Sequence, residues 1–289
     1  MTQTSSPLAG RSAIVTGSGR NIGRAIARAL AAAGASVVVN GHRDREAVDA
    51  VVQEIRDAGG RALGVMADVS RHAEVAALVQ AAAAEFGSVD IAVSNVGLRR
   101  MQPFLEISPA DWDAVLATNL TPAFYLACNA IPHMQKRKWG RIILISGFDG
   151  FWGQVAQRAH NITCKAGLHG LAKALAREFG ADGITANTVA PGAIDTLRDW
   201  SQYKHQPREQ LEKEIPLGRF GHVNEVAAAC SFLAGDGGGF TSGQVIHGPS
   251  AIRMDTLNRI GPAGRTGSHV SSRRTVRGTS GSAEASSSP

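Results

Sequence analysis

Lys165 follows Asn161 by four residues, a spacing that puts an amine and a carboxamide on one face of a helix. His160, the residue before Asn161, carries a side chain that titrates near neutrality and can serve as acid or base. Neighbouring helical positions diverge by about 100°. His160 is therefore read in two ways: as a proton donor, if the helix begins late, or as a surface or interface residue turned away from Lys165. Asn161 itself has no proton to give near neutral pH. Cys164 lies four residues after His160, but no further ligand is near, so the pair carries no metal reading. A second chemical locus lies near the start of the chain, in Thr16-Gly17-Ser18-Gly19-Arg20-Asn21-Ile22-Gly23. Glycines at 17, 19 and 23 let backbone approach a pyrophosphate, and the free amides that open the next helix offer it a positive end. A glycine-rich turn alone is a weak signal. This one follows a β-branched run and opens a helical stretch, which favours dinucleotide binding over a merely tight turn.

Both loci depend on the elements that carry them. Short β-branched runs, at Ala13-Ile14-Val15, Val37-Val38-Val39, Ile91-Ala92-Val93, residues 142–145, Thr188-Val189 and Val245-Ile246, read as buried strands. Helical stretches lie between them. The first runs from Ile22 to Ala33 and ends at Gly34; the second shows one apolar stripe of Val48, Val51, Val52 and Ile55. Ser108-Pro109-Ala110-Asp111 supplies an N-cap, a first-turn proline and a capping acid ahead of one long helix. Strand–helix alternation at this period predicts an α/β fold, a doubly wound parallel sheet of Rossmann type. One domain covers residues 8–253, preceded by a flexible N-terminus at 1–7. Residues 254–289, rich in Gly, Ser, Thr and Arg, cannot bury enough apolar surface to offset their ordering entropy and are expected to be a disordered tail.

The motifs fall in one family's order. The Gly-rich turn, Asp68-Val69, Ser94-Asn95-Val96-Gly97, Asn119-Leu120, Gly140-Arg141-Ile142, Lys165-Ala166-Gly167-Leu168 and Pro191-Gly192 together resemble a short-chain dehydrogenase/reductase of the 3-oxoacyl-carrier-protein reductase type. The resemblance implies a nicotinamide dinucleotide held by residues 17–23, with Asp68-Val69 at the adenine, Asn95 to Gly97 along its centre, and Pro191, Gly192 and Ile194 beyond. It also implies a catalytic Tyr and Lys four residues apart, a carbonyl-polarising Ser, and an Asn that holds a relay water. Lys165 and Asn119 match. Asn161 stands in place of the Tyr, and Gly147 falls where the Ser belongs, with Ser146 one position early. Asn21 replaces the family's middle glycine, and His247-Gly248-Pro249-Ser250 replaces its Asn-Gly-Gly ending. The candidate catalytic set is therefore Lys165, Asn119, Asn161, His160 and Ser146.

Cofactor preference follows from charge. The second strand ends Val39-Asn40-Gly41-His42-Arg43, with no acid to bind a ribose 2′-hydroxyl, while Arg20 and Arg43 suit a 2′-phosphate. NADP is expected over NAD, with Asn40 and Arg43 at its ribose. Phe148, Phe151, Trp152, Trp200 and Tyr203 fall in segments bordering the substrate cleft and fit either an apolar or aromatic ligand or an interface; Tyr125 reads as packing.

Composition sets the remaining bounds. The 289 residues carry a net charge of +6, but half of that excess lies in the tail, where five arginines face Asp255 and Glu284, without interleaved aromatics. Specific nucleic-acid binding is not expected. No signal-peptide pattern opens the chain, and no apolar run reaches membrane-span length. Cys128, Cys164 and Cys230 are scattered, as in a reduced cytoplasmic protein. The resemblance implies a homo-oligomer, dimer or tetramer, with helices from 108 and from about 155 at its interfaces. Three functions fit: an oxidoreductase acting on a carbonyl or alcohol, a lyase or isomerase using Lys165 or His160 as base, and a catalytically silent nucleotide-binding scaffold.

Overall fold

The computed structural model describes residues 6–153, 156–197 and 208–247. Trp200, Tyr203, residues 248–250 and the segment 254–289, all given roles above, lie outside the described residues. Seven parallel strands form the sheet: β1 (Ser12–Val15), β2 (Ser36–Gly41), β3 (Arg61–Met66), β4 (Ile91–Ser94), β5 (Gly140–Ile145), β6 (Ile184–Ala190) and β7 (Val245–His247), in the order β3-β2-β1-β4-β5-β6-β7. Helices α1 (Asn21–Ala32), α2 (Arg45–Asp57), α3 (His72–Phe86), α4 (Pro109–Asn119), α5 (Thr121–Arg137), α6 (Asp149–Trp152), α7 (Ala159–Phe179), α8 (Arg208–Glu214) and α9 (Val223–Ala234), with short 3-10 turns at Phe104–Glu106, Gly180–Asp182 and Asp236–Gly238, complete the described elements.

Strand alternation builds two cores from one sheet. Ala13, Val15, Ile143 and Ile145 point to the layer that holds α1, α2 and α9, whereas Ile14, Ile142 and Leu144 point to the layer of α3, α5 and α7. All seven strands run parallel, and β1 lies between β2 and β4, so the chain reverses its direction of winding there. In such sheets the crevice outside the carboxyl ends of the strands at this reversal is the ligand site.

Two expectations need correction. β3 was absent from the expected strands, because Arg61-Ala-Leu-Gly-Val-Met has no β-branched run; it forms at the sheet edge through its parallel ladder with β2. The single long helix expected from Ser108 is two helices meeting at Leu120, where Pro122 has no amide hydrogen for the preceding turn. Together the two make a stretch, Pro109–Arg137, that holds an 18-residue window apolar enough in composition to pass for a membrane span, with a mean hydropathy of 1.3 over that window. It is a core element instead: Val115, Ala123, Leu126, Ala127, Ala130, Ile131 and Met134 are buried within the fold.

Candidate active site

The glycine-rich turn is held from below by side chains that never leave the protein. Asn40, at the end of β2, accepts the Gly17 amide on its Oδ1 at 3.2 Å, and its Nδ2 lies 3.2 Å from the carbonyls of Gly41, Val65 and Ala67. Ser18 is fully buried; its amide donates to Asn40 O, and its hydroxyl donates to Val15 O at 2.7 Å. Asn95, after β4, donates to the carbonyls of Thr16 and Gly17 at 2.9 and 3.2 Å. Asn40 and Asn95, both expected at the cofactor, are thus first of all the supports of the turn. The turn is tight: a Cβ on Gly23 would overlap the Gly17 carbonyl oxygen, and one on Gly17, which has a φ of +61°, would meet Val96 Cγ2 at 2.8 Å.

Above the turn, α1 opens at Asn21 with no side chain capping its amides and no acid in its first turn. Asp44 caps α2 and Ser108 caps α4, whereas α3, α5, α6 and α7 begin, like α1, without a side-chain cap. Arg20 and Arg43 are exposed and form no ion pair among the described residues. Asp68 is held ionised. Partial burial would raise its pKa, but hydrogen bonds from the Ser70 hydroxyl and amide, with His42 and Arg71 nearby, bring it below the usual carboxylate range.

A cleft runs along the carboxyl edge of the sheet, with Ile22, Asn95, Gly97 and Leu98 on one bank, Ile145, Ser146, Asn161 and Lys165 at its floor, and Pro191, Gly192, Ile194 and Thr196 on the other. Lys165 Nζ donates to Ile145 O at 3.0 Å. Burial of the ammonium, helped by the nearby Arg99 cation, brings its pKa down to about 8. Asn119 and Asn161 meet over one backbone carbonyl: each Nδ2 donates to Leu98 O at 2.8 Å, and they face each other at 3.5 Å. A Cβ on Gly97 would lie 3.6 Å from Lys165 Nζ and 3.8 Å from Asn119 Oδ1, so these three residues converge on one point.

His160 is neither at the surface nor in the cleft lining. It is fully buried at the start of α7, its Nδ1 accepts the Asn161 amide at 2.9 Å, and its Nε2 has no partner among the described residues. Burial and the Arg100 cation lower its pKa, so the neutral ring is the form that packs. The surface reading of His160 is corrected here: α7 begins at Ala159, and α4 and the chain around Arg100 cover its first turn.

Ser146 does line the cleft, although it precedes the expected serine position, because β5 has ended at Ile145 and strand alternation no longer governs it. Its hydroxyl lies 2.9 Å from His169 Nε2, a residue not singled out from the sequence. The signal was available: His169 is four residues past Lys165 and eight past Asn161, on the same helical face. Burial, together with His247, Lys173 and Lys165, lowers its pKa to about 4, so the imidazole is neutral. Phe151 packs on it with ring centroids 4.5 Å apart. Phe148, Phe151 and Trp152 are not among the cleft-lining residues, and Phe151 and Trp152 are half exposed. Tyr125 packs between His72 and Phe124. Cys164 is buried, and burial raises its thiol to about 11.

A family model described as enoyl-(acyl carrier protein) reductase matches residues 17–248. Similar curated proteins include the 3-oxoacyl-(acyl-carrier-protein) reductases of Staphylococcus aureus and Escherichia coli. The first is 38% identical over 242 residues, covering 82% of this chain and 96% of its own, and the second 38% identical over 239 residues, covering 82% and 95%. Among solved structures, a short-chain alcohol dehydrogenase described as putative, from Sinorhizobium meliloti, superposes with a TM-score of 0.80 at 32% identity, over 84% of this chain and 96% of its own.

Proposed function

Because the chain belongs to the short-chain dehydrogenase/reductase family, we propose that it is an NADP-dependent oxidoreductase acting on a carbonyl or alcohol with a rebuilt catalytic set. The observation that carries this reading is the convergence of Lys165 and Asn119 on Gly97, in a cleft that Gly97 and Lys165 line together with Ile22 of the uncapped first turn of α1. The bare amides there fit a pyrophosphate, and the close-packed turn leaves backbone rather than side chain to meet it. Arg20 and Arg43 would hold the 2′-phosphate, Asp68 and Val69 would border the adenine, and Gly97, Lys165, Pro191, Gly192 and Ile194 would hold the nicotinamide end. The bound nucleotide supplies the hydride.

The protein supplies the proton and the oxygen's surroundings. Lys165 is the cleft-lining group brought close to neutrality, and its ammonium delivers the proton to the substrate oxygen, directly or through one water. Ser146 polarises that oxygen: with hydrogen on Nε2, His169 donates to Ser146 Oγ, and the hydroxyl hydrogen, directed at Val189 O over a long 3.4 Å, turns to the substrate. Asn119 and Asn161 fix Leu98 and its carbonyl beside the reacting centre. Reduction in this scheme requires protonated Lys165, so the rate falls as pH rises through about 8.

Titration with NADPH and NADH, followed by nicotinamide fluorescence, tests the reading without any choice of substrate. Tighter binding of NADPH is expected, weakened about tenfold by Arg20→Ala. Failure of both nucleotides to bind overturns it in favour of a scaffold.

A further inference from the structure

Among the described residues, a side chain of α1 reaches across the rim of the cleft to the far bank. Asn21 opens α1 in the left-handed region, at a φ of +50°. Its carboxamide makes a two-way hydrogen bond with the backbone of a residue 176 positions away: Leu197 N donates to Oδ1 at 2.9 Å, and Nδ2 donates to Leu197 O at 3.4 Å. Leu197 ends the described segment that leaves β6 and carries Pro191, Gly192, Ile194 and Thr196 along the far bank. That segment is fastened on its other side to the first residue of α8 and to the chain beyond that helix. Asp195 N donates to Gly221 O at 2.8 Å, and the Asp195 carboxylate takes both terminal nitrogens of Arg208 at 2.9 and 2.8 Å. The segment is therefore anchored away from the turn by its own chain neighbours, and the Asn21 clasp spans the cleft itself.

We propose that Asn21 is a positioning residue that clasps the segment 191–197 over the dinucleotide cleft and so sets how long a nucleotide stays bound. This rests on the reading of the cleft as a dinucleotide site. The residue type fits the role. Asparagine tolerates a positive φ better than most side chains, and its carboxamide presents separate atoms that accept from the Leu197 amide and donate to its carbonyl. Glycine would relieve the backbone and release the clasp. Aspartate would keep the accepting half, lose the donating half, and set a negative charge at the helix N-terminus where a phosphate would lie.

The test compares wild type, Asn21→Gly and Asn21→Asp by stopped-flow release of NADPH and by amide hydrogen exchange at Leu197. Asn21→Gly is expected to speed NADPH release about tenfold, the scale of one or two lost neutral hydrogen bonds, and to speed exchange at Leu197 with no loss of thermal stability. Asn21→Asp is expected to release NADPH faster while keeping Leu197 partly protected. Unchanged release and exchange in Asn21→Gly overturn the clasp while leaving the cofactor reading intact. Absence of NADPH binding by wild type overturns the cofactor reading beneath it, and the residence-time role with it.

Discussion

Of the two amides fastened to the carbonyl of Leu98, Asn161 occupies the place where the family resemblance puts a phenol. Asn161→Tyr is expected to raise ketone reduction in a carbonyl panel with NADPH by about tenfold or more, since a positioned general acid contributes at least that much; no gain would mean that the floor of the cleft serves different chemistry. His169 gives a second prediction, read from stability. Its folded pKa of about 4 lies below the ordinary histidine value of 6.5, so the folded state binds fewer protons between these values. The stability it contributes is complete above about pH 6.5 and lost as pH falls through about 4. Urea denaturation of His169→Gln is expected to show a flatter pH dependence across that window than wild type. The Asn161–Lys165 pair was legible in the sequence because helical spacing alone puts both on one face. The same spacing puts His169 on that face, but its contact with Ser146, just past the end of β5, is made by the packing of α7 on the sheet and is not written in local spacing. His160 was misread for a related reason: its rotation away from Lys165 was correctly inferred, but what covers that side of α7 is set by α4, whose distance in sequence hides the contact.

At the scale of elements, the turn between β1 and α1 behaves as one unit with the ends of β2 and β4. Gly23→Ala is expected to cost about 1–3 kcal/mol in chemical denaturation, because a Cβ there overlaps backbone that cannot step aside. The same change is expected to weaken NADPH binding at least about tenfold in fluorescence titration, since the displaced atoms include the Gly17 carbonyl. Full stability together with full affinity would show that the turn is softer than its packing indicates. The alternation of strands and helices could be read directly, because buried parallel strands are short β-branched runs and these are distinct from the helical stripes. β3 escaped because an edge strand needs apolar residues on fewer sides, so Arg61 and Gly64 are tolerated in it. The break at Leu120 escaped because Pro122 reads equally as the interior of one helix or the first turn of the next.

At the scale of the whole molecule, α5 exposes Phe124 beside Tyr125, and the chain before α4 exposes Met101, Phe104 and Leu105. Such apolar surface fits the homo-oligomer expected from the family resemblance. Light scattering is expected to give a dimer or tetramer, with Phe124→Asp shifting the mass towards one chain; a monomeric wild type would sink this. A different constraint comes from Asn40. The familiar route to NAD selectivity places an acid near the end of the second strand, but at Asn40, the last residue but one of β2, the side chain lies against three carbonyl oxygens and supports the turn. Asn40→Asp would set a carboxylate against those oxygens and cost about 1–3 kcal/mol before any nucleotide arrives. A lineage carrying this arrangement has its coenzyme economy tied to its foldability. Selection or an engineer seeking the other coenzyme must work around position 40, through residues 41 to 43, leaving the asparagine in place.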